Sequence, residues 1–463
     1  MRSSLLAGLE PPTVRLAIWL GAALLGWPTM AVELRVATFQ VDATPPIGSP
    51  LCLGLVPKAA GVADPLSARG VILLAANQQP VVLVAVDWVG IGNESHDRWR
   101  MAIASACKTT PHRVAVHTLH QHDAPGCDLT AEAIAAQAGL HGELMDRQFS
   151  LDTVDRVSRA AAAAIPRARE ATHVGHGSAE VRQVASNRRI LGPDGRVAFQ
   201  RMSSASAALR ELPEGTIDPV VRIVSLWDDE SPLVAISYYA THPQSYYRTG
   251  KVSADFVGLA RNSRESDVQG PTHIHFNGAS GNVAAGKYND GAPERRVELT
   301  GRLAAGMKAA WDATRKTPLS ELEFSWKSLS IVLPRAEWLQ REELEATLRD
   351  ASTPMITRTL AARELAFLER CEESRPVELS RLRLGVVDML HLPGELFVEY
   401  QLAAQQFSPA RFVCVAAYGD YGPGYIGLNR SYAEGGYETG RPSRVSSRVE
   451  GSLMKAIQEL SRQ

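Results

Sequence analysis

Short apolar runs alternate with longer helix-like segments along the chain from residue 34 onward. The run VVLVAVDWV at residues 81–89 has the length and β-branched content of a buried strand, whereas residues 144–164 have the length of a long helix. Such alternation favours an α/β fold in which mixed β-sheets are covered by helices. The sequence predicts strands at residues 34–39, 71–75, 81–89 and 114–116, a hairpin at 223–227 and 233–239, and helices at 95–107, 144–164 and 293–314.

Residues 337–373 have a different composition, rich in Glu, Arg, Leu and Ala, with one break at residues 352–354 (STP). We interpret this stretch as a helical-hairpin insertion that lies on the surface. Its charges are then expected to form a solvated face rather than part of a catalytic element. A short amphipathic helix is predicted after Ser447.

The first 31 residues have the pattern of an export signal. Arg2 and Arg15 precede an apolar run at residues 16–27, which is too short to span a bilayer. Small residues follow up to Ala31, where we expect cleavage. A retained anchor helix is the alternative interpretation. We therefore expect residues 1–31 to be a signal peptide and the protein to be exported, either periplasmic or secreted, with no transmembrane span after cleavage.

The balance of charge excludes one class of partner. The formal net charge of −1 becomes −2 when residues 1–31, which carry two arginines and one glutamate, are removed. A near-neutral chain without a basic stripe argues against a nucleic-acid partner. The five cysteines include no C-x-x-C pair, which argues against a cysteine-based zinc site. The cysteine pairing and the oligomeric state are left open.

The motif HQHDAPG at residues 120–126 follows the apolar run at residues 114–116. In an extended segment the side chains at i and i+2 share a face. His120 and His122 are therefore expected to point into one cleft at a strand end, one as a metal ligand and the other as a proton-handling neighbour. Taken alone, an H-x-H pair also fits a polar surface.

Two further candidate ligands lie at the ends of apolar runs. His242 follows the run at residues 233–239, and Glu395 follows the run at residues 384–392. A His-His-Glu set with an open position is typical of catalytic zinc. Each residue alone also fits an ordinary hydrogen-bonded loop position, so the prediction depends on the three together. The tyrosines between residues 418 and 437 supply further donors.

Several motifs in the same order resemble the neutral/alkaline ceramidase family, in its N-terminal catalytic domain. The resemblance covers most of the chain after the leader and rests on the segments VDATPPIG at residues 41–48, DPLSAR at 64–69, HQHDAPG at 120–126, THP at 241–243, PGE at 393–395 and the tyrosine-rich segment that begins at Tyr425. It implies that residues 32–463 form one such catalytic domain, without the immunoglobulin-like C-terminal domain of the family.

The resemblance also implies a site and an activity. Zn²⁺ would be held by His120, His242, Glu395 and Tyr425, with Tyr437 as the fallback tyrosine. His122 would lie beside the metal and protonate the leaving amine. The substrate-binding residues would be Arg188, Tyr432 and Tyr437, because tyrosines give an apolar wall with polar tips. The expected activity is zinc-dependent hydrolysis of an N-acyl amide bond, in ceramide or a related lipid-like N-acyl amphiphile, by a zinc-activated water.

One loop departs from the family pattern. The family has a GDVSPN loop with a serine of proposed catalytic importance, whereas residues 281–286 read GNVAAG and Ala284 takes the serine position. Ser280 lies four residues earlier. Hydrolysis by a zinc-activated water needs no serine. The alternative is a non-catalytic metal- or ligand-binding homologue that lost activity with the serine.

Overall fold

Three β-sheets form the framework of the computed structural model, which describes residues 33–268, 270–319 and 324–462. The predicted leader at residues 1–31 lies outside these ranges. The first sheet has five strands, in the order Val114–Thr118, Val81–Val86, Ser67–Ala75, Leu34–Asp42 and Arg169–Ala171. Neighbouring strands are antiparallel except for the edge pair Val81–Val86 and Val114–Thr118, which is parallel.

The second and third sheets follow the same plan. The second has the order Thr272–Asn277, Ser231–Tyr239, Val220–Asp228, His173–Glu180 and Arg315–Pro318. The third has the order Phe324–Ile331, Val377–Leu384, Val387–His391 and Phe412–Ala416. Each again has a single parallel pair at one edge, formed by its first two strands in the second sheet and its last two in the third. The mixed sheets predicted from the sequence are therefore present.

Helices cover these sheets. They are Glu94–Cys107, Leu129–Gln137, Arg147–Ala164, Ala207–Glu211, Asp255–Asp267, Pro293–Asp312, Arg341–Arg349, Met355–Glu372, Val398–Phe407, Asn429–Glu434 and Val449–Ser461. In the described ranges, none of them combines the length and the apolarity that crossing a bilayer requires. All five cysteines are free thiols.

The strand Val81–Val86 shows why an unbroken apolar run is needed here. Val82, Val84 and Val86 belong to one hydrophobic cluster, and the alternating residues Val81, Leu83 and Ala85 belong to another. Side chains of a strand alternate between the two faces of the sheet, so this strand is covered on both sides. The sequence prediction of a buried strand is confirmed, although the strand ends before Asp87.

The three parallel edges meet at their carboxyl ends. The backbone N–H of Thr118 donates to the carbonyl of Tyr418 at 3.0 Å, and the N–H of Ala417 donates to the carbonyl of Asn277 at 2.9 Å. These bonds tie the first sheet to the third and the third to the second. Because side chains that follow parallel strands share one sheet edge, loops from all three sheets are gathered in one place.

The second helix of the predicted hairpin is not a surface element. The break at residues 352–354 separates Arg341–Arg349 from Met355–Glu372 as predicted, but the second helix buries ten of its eighteen residues. Its alanine-rich middle packs against Leu129–Gln137. The interpretation of its charges as a solvated face is wrong for Arg363 and Glu364, which are 5% and 3% exposed. Helical charges alone could not reveal that this face lines a cleft.

Candidate metal centre and substrate cleft

The HQHDAPG turn begins where the first sheet ends. The backbone N–H of Leu119 donates to the carbonyl of Val86, and that of His120 donates to the carbonyl of Trp88, both at 2.9 Å. His120 has a positive φ of 70°, which is uncommon for a residue with a side chain. Strained backbone of this kind persists where surrounding structure fixes it, and it clusters at functional sites.

The side chains of this turn alternate as the spacing predicts. Gln121 is fully buried, and its amide donates to Asp87 Oδ1 at 3.3 Å and to the carbonyl of Ala254 at 3.2 Å. His120 and His122 lie together on the opposite side, with their ring centroids 4.8 Å apart. The middle residue therefore anchors the turn in the core and leaves both histidines facing the cleft.

His242 arrives from the second sheet. It follows the strand Ser231–Tyr239, and its backbone N–H donates to the carbonyl of Val283 at 3.0 Å. Its ring is fully buried, with its centroid 4.8 Å from that of His120. The predicted convergence of His120 and His242 is thus seen in the structure.

Glu395 and Tyr425 are brought together by a two-residue parallel pair. Glu395–Leu396 pairs with Tyr425–Ile426, and Glu395 is in register with Tyr425. The turn before Glu395 needs Gly394, whose φ is 63° and where a Cβ would lie 2.9 Å from the carbonyl oxygen of Gly424. The PGE motif therefore has two roles: its glycine allows the backbone turn, and its glutamate supplies the carboxylate.

All three histidines are held in the tautomer that a metal ligand needs. Nδ1 of His120 lies 2.6 Å from the carbonyl oxygen of Val89, that of His242 lies 2.8 Å from the carbonyl oxygen of Ser280, and that of His122 lies 3.1 Å from the carbonyl oxygen of His120. A carbonyl can only accept, so Nδ1 carries the proton and donates. Nε2 of each ring therefore keeps its lone pair for another partner.

The ligand atoms have the spacing of a tetrahedral metal site. Oε2 of Glu395 lies 3.1 Å from Nε2 of His120 and 3.4 Å from Nε2 of His242, and the Tyr425 hydroxyl lies 3.3 Å from the same His242 nitrogen. Ligands about 2.0–2.1 Å from a tetrahedral zinc ion lie roughly 3.3–3.4 Å apart. His120, His122 and His242 form a looser cluster, with ligand atoms within 4.8 Å of one another. The set that includes Glu395 fits better.

Two atoms at the centre of this cluster have no hydrogen-bond partner among the described residues. They are Nε2 of His120 and Oε2 of Glu395, both buried. Each is a lone-pair acceptor, and leaving such an atom unsatisfied costs about 1–3 kcal/mol. Buried acceptors without donors point to a missing cation. The residues present therefore fit a bound metal ion.

Protonation states also suit metal binding, which needs deprotonated ligands. Burial raises the pKa of Glu395, but the neighbouring His120 and His242 outweigh it and hold that pKa well below 4.5. Burial is the main cause that lowers the pKa of His242 to about 4. Burial, followed by the charges of His120 and His242, lowers the pKa of His122 well below 6.5. At pH 7 His242 and His122 are therefore neutral and Glu395 is ionised.

Arg188 links this centre to a buried carboxylate. Its Nε lies 3.3 Å from Oε1 of Glu438, and its Nη1 donates to the Tyr425 hydroxyl at 3.3 Å. Burial disfavours the charge of Arg188, but Tyr425 and Glu438 raise the guanidinium pKa above its ordinary value. Burial raises the pKa of Tyr425 well above 10, and Arg188 opposes that shift. Arg188 thus partly offsets the effect of burial on the pKa of the Tyr425 hydroxyl.

The structure brings forward residues that were not assigned a role from the sequence. The Tyr418 ring stacks on His120 with a centroid distance of 4.6 Å, and its hydroxyl lies 2.8 Å from Oγ of Ser280. Ser280 therefore lies behind His242, where its carbonyl orients the ring, and it is not among the residues that line the cleft. Ala284 lies elsewhere, in the strand Val283–Ala284, where its carbonyl accepts from the Ser186 hydroxyl. The positions of Ser280 and Ala284 depend on the path of the loop that follows the second sheet. Motif spacing alone does not give that path.

Above the centre lies a cleft of about 590 Å³. Tyr437 is on its rim, 49% exposed, with its ring 5.8 Å from that of Tyr425. Tyr432, expected to bind substrate, does not line the cleft, and its hydroxyl is 3.0 Å from Oγ of Ser443. The reason is local, since Tyr432 belongs to the short helix Asn429–Glu434, which ends before the cleft-facing Tyr437.

Two solved structures resemble the chain over 93% of its length. The first, described as a ceramidase complexed with C2, has a TM-score of 0.66 and 17% identity, and the chain covers 75% of it. The second, the neutral ceramidase from Pseudomonas aeruginosa, has a TM-score of 0.65 and 18% identity, and the chain covers 74% of it. The chain has the neutral ceramidase fold. This fold confirms the α/β class and the resemblance drawn from the motifs. No family model matches the chain, and no curated protein matches it.

Proposed function

We propose that this chain is a zinc-dependent hydrolase of the neutral ceramidase type that cleaves an N-acyl amide bond. His120, His242, Glu395 and Tyr425 would hold the ion. The observation that carries the proposal is the convergence of two Nε2 lone pairs and one carboxylate oxygen at 3.1–3.4 Å. Nitrogen and oxygen ligands in this number are typical of catalytic zinc.

When bound, the ion would polarise the substrate carbonyl and make a water molecule nucleophilic at neutral pH. The chain's own groups supply the rest. Glu395 and the Arg188–Tyr425 contact fix the charge distribution of the floor, and the carbonyls of Val89 and Ser280 fix the orientation of the ligand histidines. His122 is neutral, so it first accepts a proton from the attacking water. It then gives that proton to the leaving amine.

The cleft above the floor suits an amphiphile. Its walls include apolar groups such as Leu55, Val56, Ile356 and Leu360, and its floor is polar. A largely apolar cavity with a few convergent polar groups is typical of small-molecule sites. An acyl chain against the apolar wall would leave the amide over the histidines. Export through the leader at residues 1–31, to the periplasm or the medium, completes the proposal and is tested by cell fractionation.

The test begins with the metal content of the purified protein, measured by mass spectrometry. The same sample is then assayed on a panel of N-acyl amides and esters, with ceramide in detergent included. We expect about one zinc per chain and amide hydrolysis that a chelator abolishes and added zinc restores. Serine-directed acylating reagents should have no effect. Inhibition with the label mapped to Ser280 would replace the water mechanism with a serine nucleophile.

A protein that binds zinc but turns over none of the panel would instead support the non-catalytic homologue. Ser280 contacts Tyr418 and orients His242 but does not line the cleft, so the alternative stays open and this panel decides it. No metal and no turnover would remove the proposal altogether.

A further inference from the structure

Two buried arginines face the cleft without a direct ion pair among the described residues. Arg363 and Arg444 both line it, and each is only 5% exposed. Among the described residues, no carboxylate forms a direct ion pair with either guanidinium, although Asp128 interacts electrostatically with both and Glu364 with Arg444. Arg363 lies with its Cζ 5.5 Å from the Tyr421 ring centroid, and Arg444 donates one hydrogen bond, to the carbonyl of Gly422 at 2.8 Å. Buried charges in folded proteins are normally paired.

Two other arginines of the cleft, the buried Arg188 and the exposed Arg441, are paired. Arg188 contacts Glu438 at 3.3 Å, and Arg441 contacts Glu364 at 2.7 Å. Among the buried arginines of the cleft, Arg363 and Arg444 are thus the two without a direct ion pair in the part of the chain that the structure describes. We refer to Arg363 and Arg444 as the arginine pair.

The two cations of the arginine pair repel each other. Burial, followed by the charge of Arg363, lowers the pKa of Arg444 to about 10. Its Nε is also buried without a hydrogen-bond acceptor among the described residues. An arginine offers five N–H donors in a planar fork, a geometry that matches the oxygens of a carboxylate, sulfonate or phosphate. An oxyanion between the two guanidinium groups would neutralise charge and satisfy these donors.

The arginine pair is close to the reacting centre. The Tyr421 ring centroid lies 5.5 Å from the His120 ring and 5.5 Å from Cζ of Arg363. The Tyr421 ring thus separates the Arg363 guanidinium from His120, a candidate metal ligand. A ligand whose amide lies over the histidines could place a group a few bonds away beside the arginine pair.

We infer that the substrate is an N-acyl amide whose amine half carries an oxyanion, and that Arg363 and Arg444 bind this oxyanion. The inference rests on the proposed hydrolase function and adds the class of head group to it. It distinguishes the chain's substrate from an uncharged N-acyl sphingoid base, for which two unpaired buried cations would be unfavourable neighbours.

A matched series of ligands tests this inference without turnover. N-Octanoyl derivatives of ethanolamine, β-alanine, taurine and O-phosphoethanolamine share one acyl chain and one two-carbon spacer, and end in a hydroxyl, carboxylate, sulfonate and phosphate. Their binding to the chelator-treated full chain is measured by calorimetry. We expect at least one anionic member to bind roughly tenfold to a hundredfold tighter than the ethanolamide, as hydrogen bonds to charged groups imply. The three anionic members show which oxyanion fits.

Variants assign the preference to the arginine pair. Arg363→Gln and Arg444→Gln should each reduce the ratio of anionic to neutral affinity by about tenfold or more, and Arg363→Lys should restore part of it. Arg159→Gln, an exposed arginine outside the cleft, is the matched control and should keep the ratio. Thermal unfolding of each variant separates misfolding from lost recognition, and the lysine variant serves if the glutamine variant does not fold.

Equal affinity for all four ligands would overturn the inference, and so would an anion preference that both glutamine variants retain. Failure of the proposed function gives a different result. In that case the anion preference would persist in binding while the zinc-loaded protein hydrolysed none of the four amides. Hydrolysis of the ethanolamide at the same kcat/KM as its anionic counterparts would leave the hydrolase proposal standing and remove the head-group inference alone.

Discussion

The floor of the cleft, formed by the candidate metal ligands, and the arginine pair on its wall leave opposite kinds of atom without a hydrogen-bond partner. At the floor, the unsatisfied atoms are acceptors, Nε2 of His120 and Oε2 of Glu395. At the arginine pair, the unsatisfied atom is a donor, Nε of Arg444. Both regions are buried, so a polar atom left without a hydrogen-bond partner in either region costs free energy. Buried acceptors without donors indicate a bound cation, and buried donors without acceptors indicate a bound anion. The two regions together therefore fit a metal ion and a ligand that carries an anionic group.

The largest expected effect tests the floor. Glu395→Gln keeps the size of the side chain but removes its charge, so the metal content should fall and kcat/KM should drop by roughly 10³-fold, because a catalytic metal supplies several kcal/mol. Glu373→Gln, at a 61% exposed carboxylate, is the control. A Glu395→Gln protein with full metal and full rate would show that the three-histidine cluster binds the ion without the carboxylate.

Arg188 should give the next largest effect, since it connects the floor to Glu438. We expect Arg188→Gln to lower kcat/KM by about 10–100-fold, because the Tyr425 oxygen loses the charged donor that favours its negative form. Arg189→Gln removes another arginine that contacts Glu438, at 3.1 Å, but does not line the cleft. If both variants lost activity equally, the effect would come from Glu438 and its packing rather than from Arg188.

The histidines behind the floor should make the metal-free protein sensitive to acid. Burial lowers the pKa of His117 and His275 from 6.5 to about 3. Between these values the unfolded chain binds more protons than the folded chain. The free energy of unfolding should therefore fall as the pH decreases from 6.5 toward 3, by up to about 1.4 kcal/mol per pH unit for each histidine, and should not depend on these groups above pH 7.5.

Urea unfolding of the chelator-treated protein at several pH values measures this slope. His275→Gln should flatten it, whereas His112→Gln, at a 61% exposed histidine, should not. Arg444 makes no contribution in this window, because its pKa of about 10 keeps the guanidinium charged throughout. An unchanged slope in the His275→Gln protein would show that burial does not lower the pKa of this histidine.

The floor could be predicted from the sequence because its residues lie at strand ends. His120, His242 and Glu395 each follow an apolar run, and a strand that leaves the core must deliver its next residues to a sheet edge. The alternation that places Gln121 in the core and both flanking histidines in the cleft follows from the same geometry. What the sequence could not give was which loop residue reaches the centre. Ser280 supplies the carbonyl that orients His242, and the loop then passes at Gly281 so close to Glu395 that a Cβ would lie 2.3 Å from its carbonyl oxygen.

The burial of the arginine wall could not be predicted from the sequence. Charged residues in a helix follow no rule like the one that brings residues after a strand to a sheet edge. Arg363 and Glu364 lie in a segment rich in Glu and Arg, where a solvated face is the ordinary interpretation. Burial of this face depends on the helix Leu129–Gln137, far away in the sequence, against which Met355–Glu372 packs. Charge pattern alone contains no information about that contact.

The smallest expected effect tests the boundary of the cleft. The hydroxyl of Tyr432 contacts Ser443 at 3.0 Å and does not line the cleft. Tyr432→Phe should therefore lower the free energy of unfolding by about 0.5–1.5 kcal/mol and leave the kinetics unchanged.

Tyr437 is half exposed on the rim of the cleft. Tyr437→Ala should therefore raise KM several-fold with little change in stability, because it removes contacts that bind substrate and transition state equally. Urea titration and initial rates on the same samples give both quantities. If Tyr432→Phe raised KM and Tyr437→Ala did not, substrate would enter on the side of the helix Asn429–Glu434.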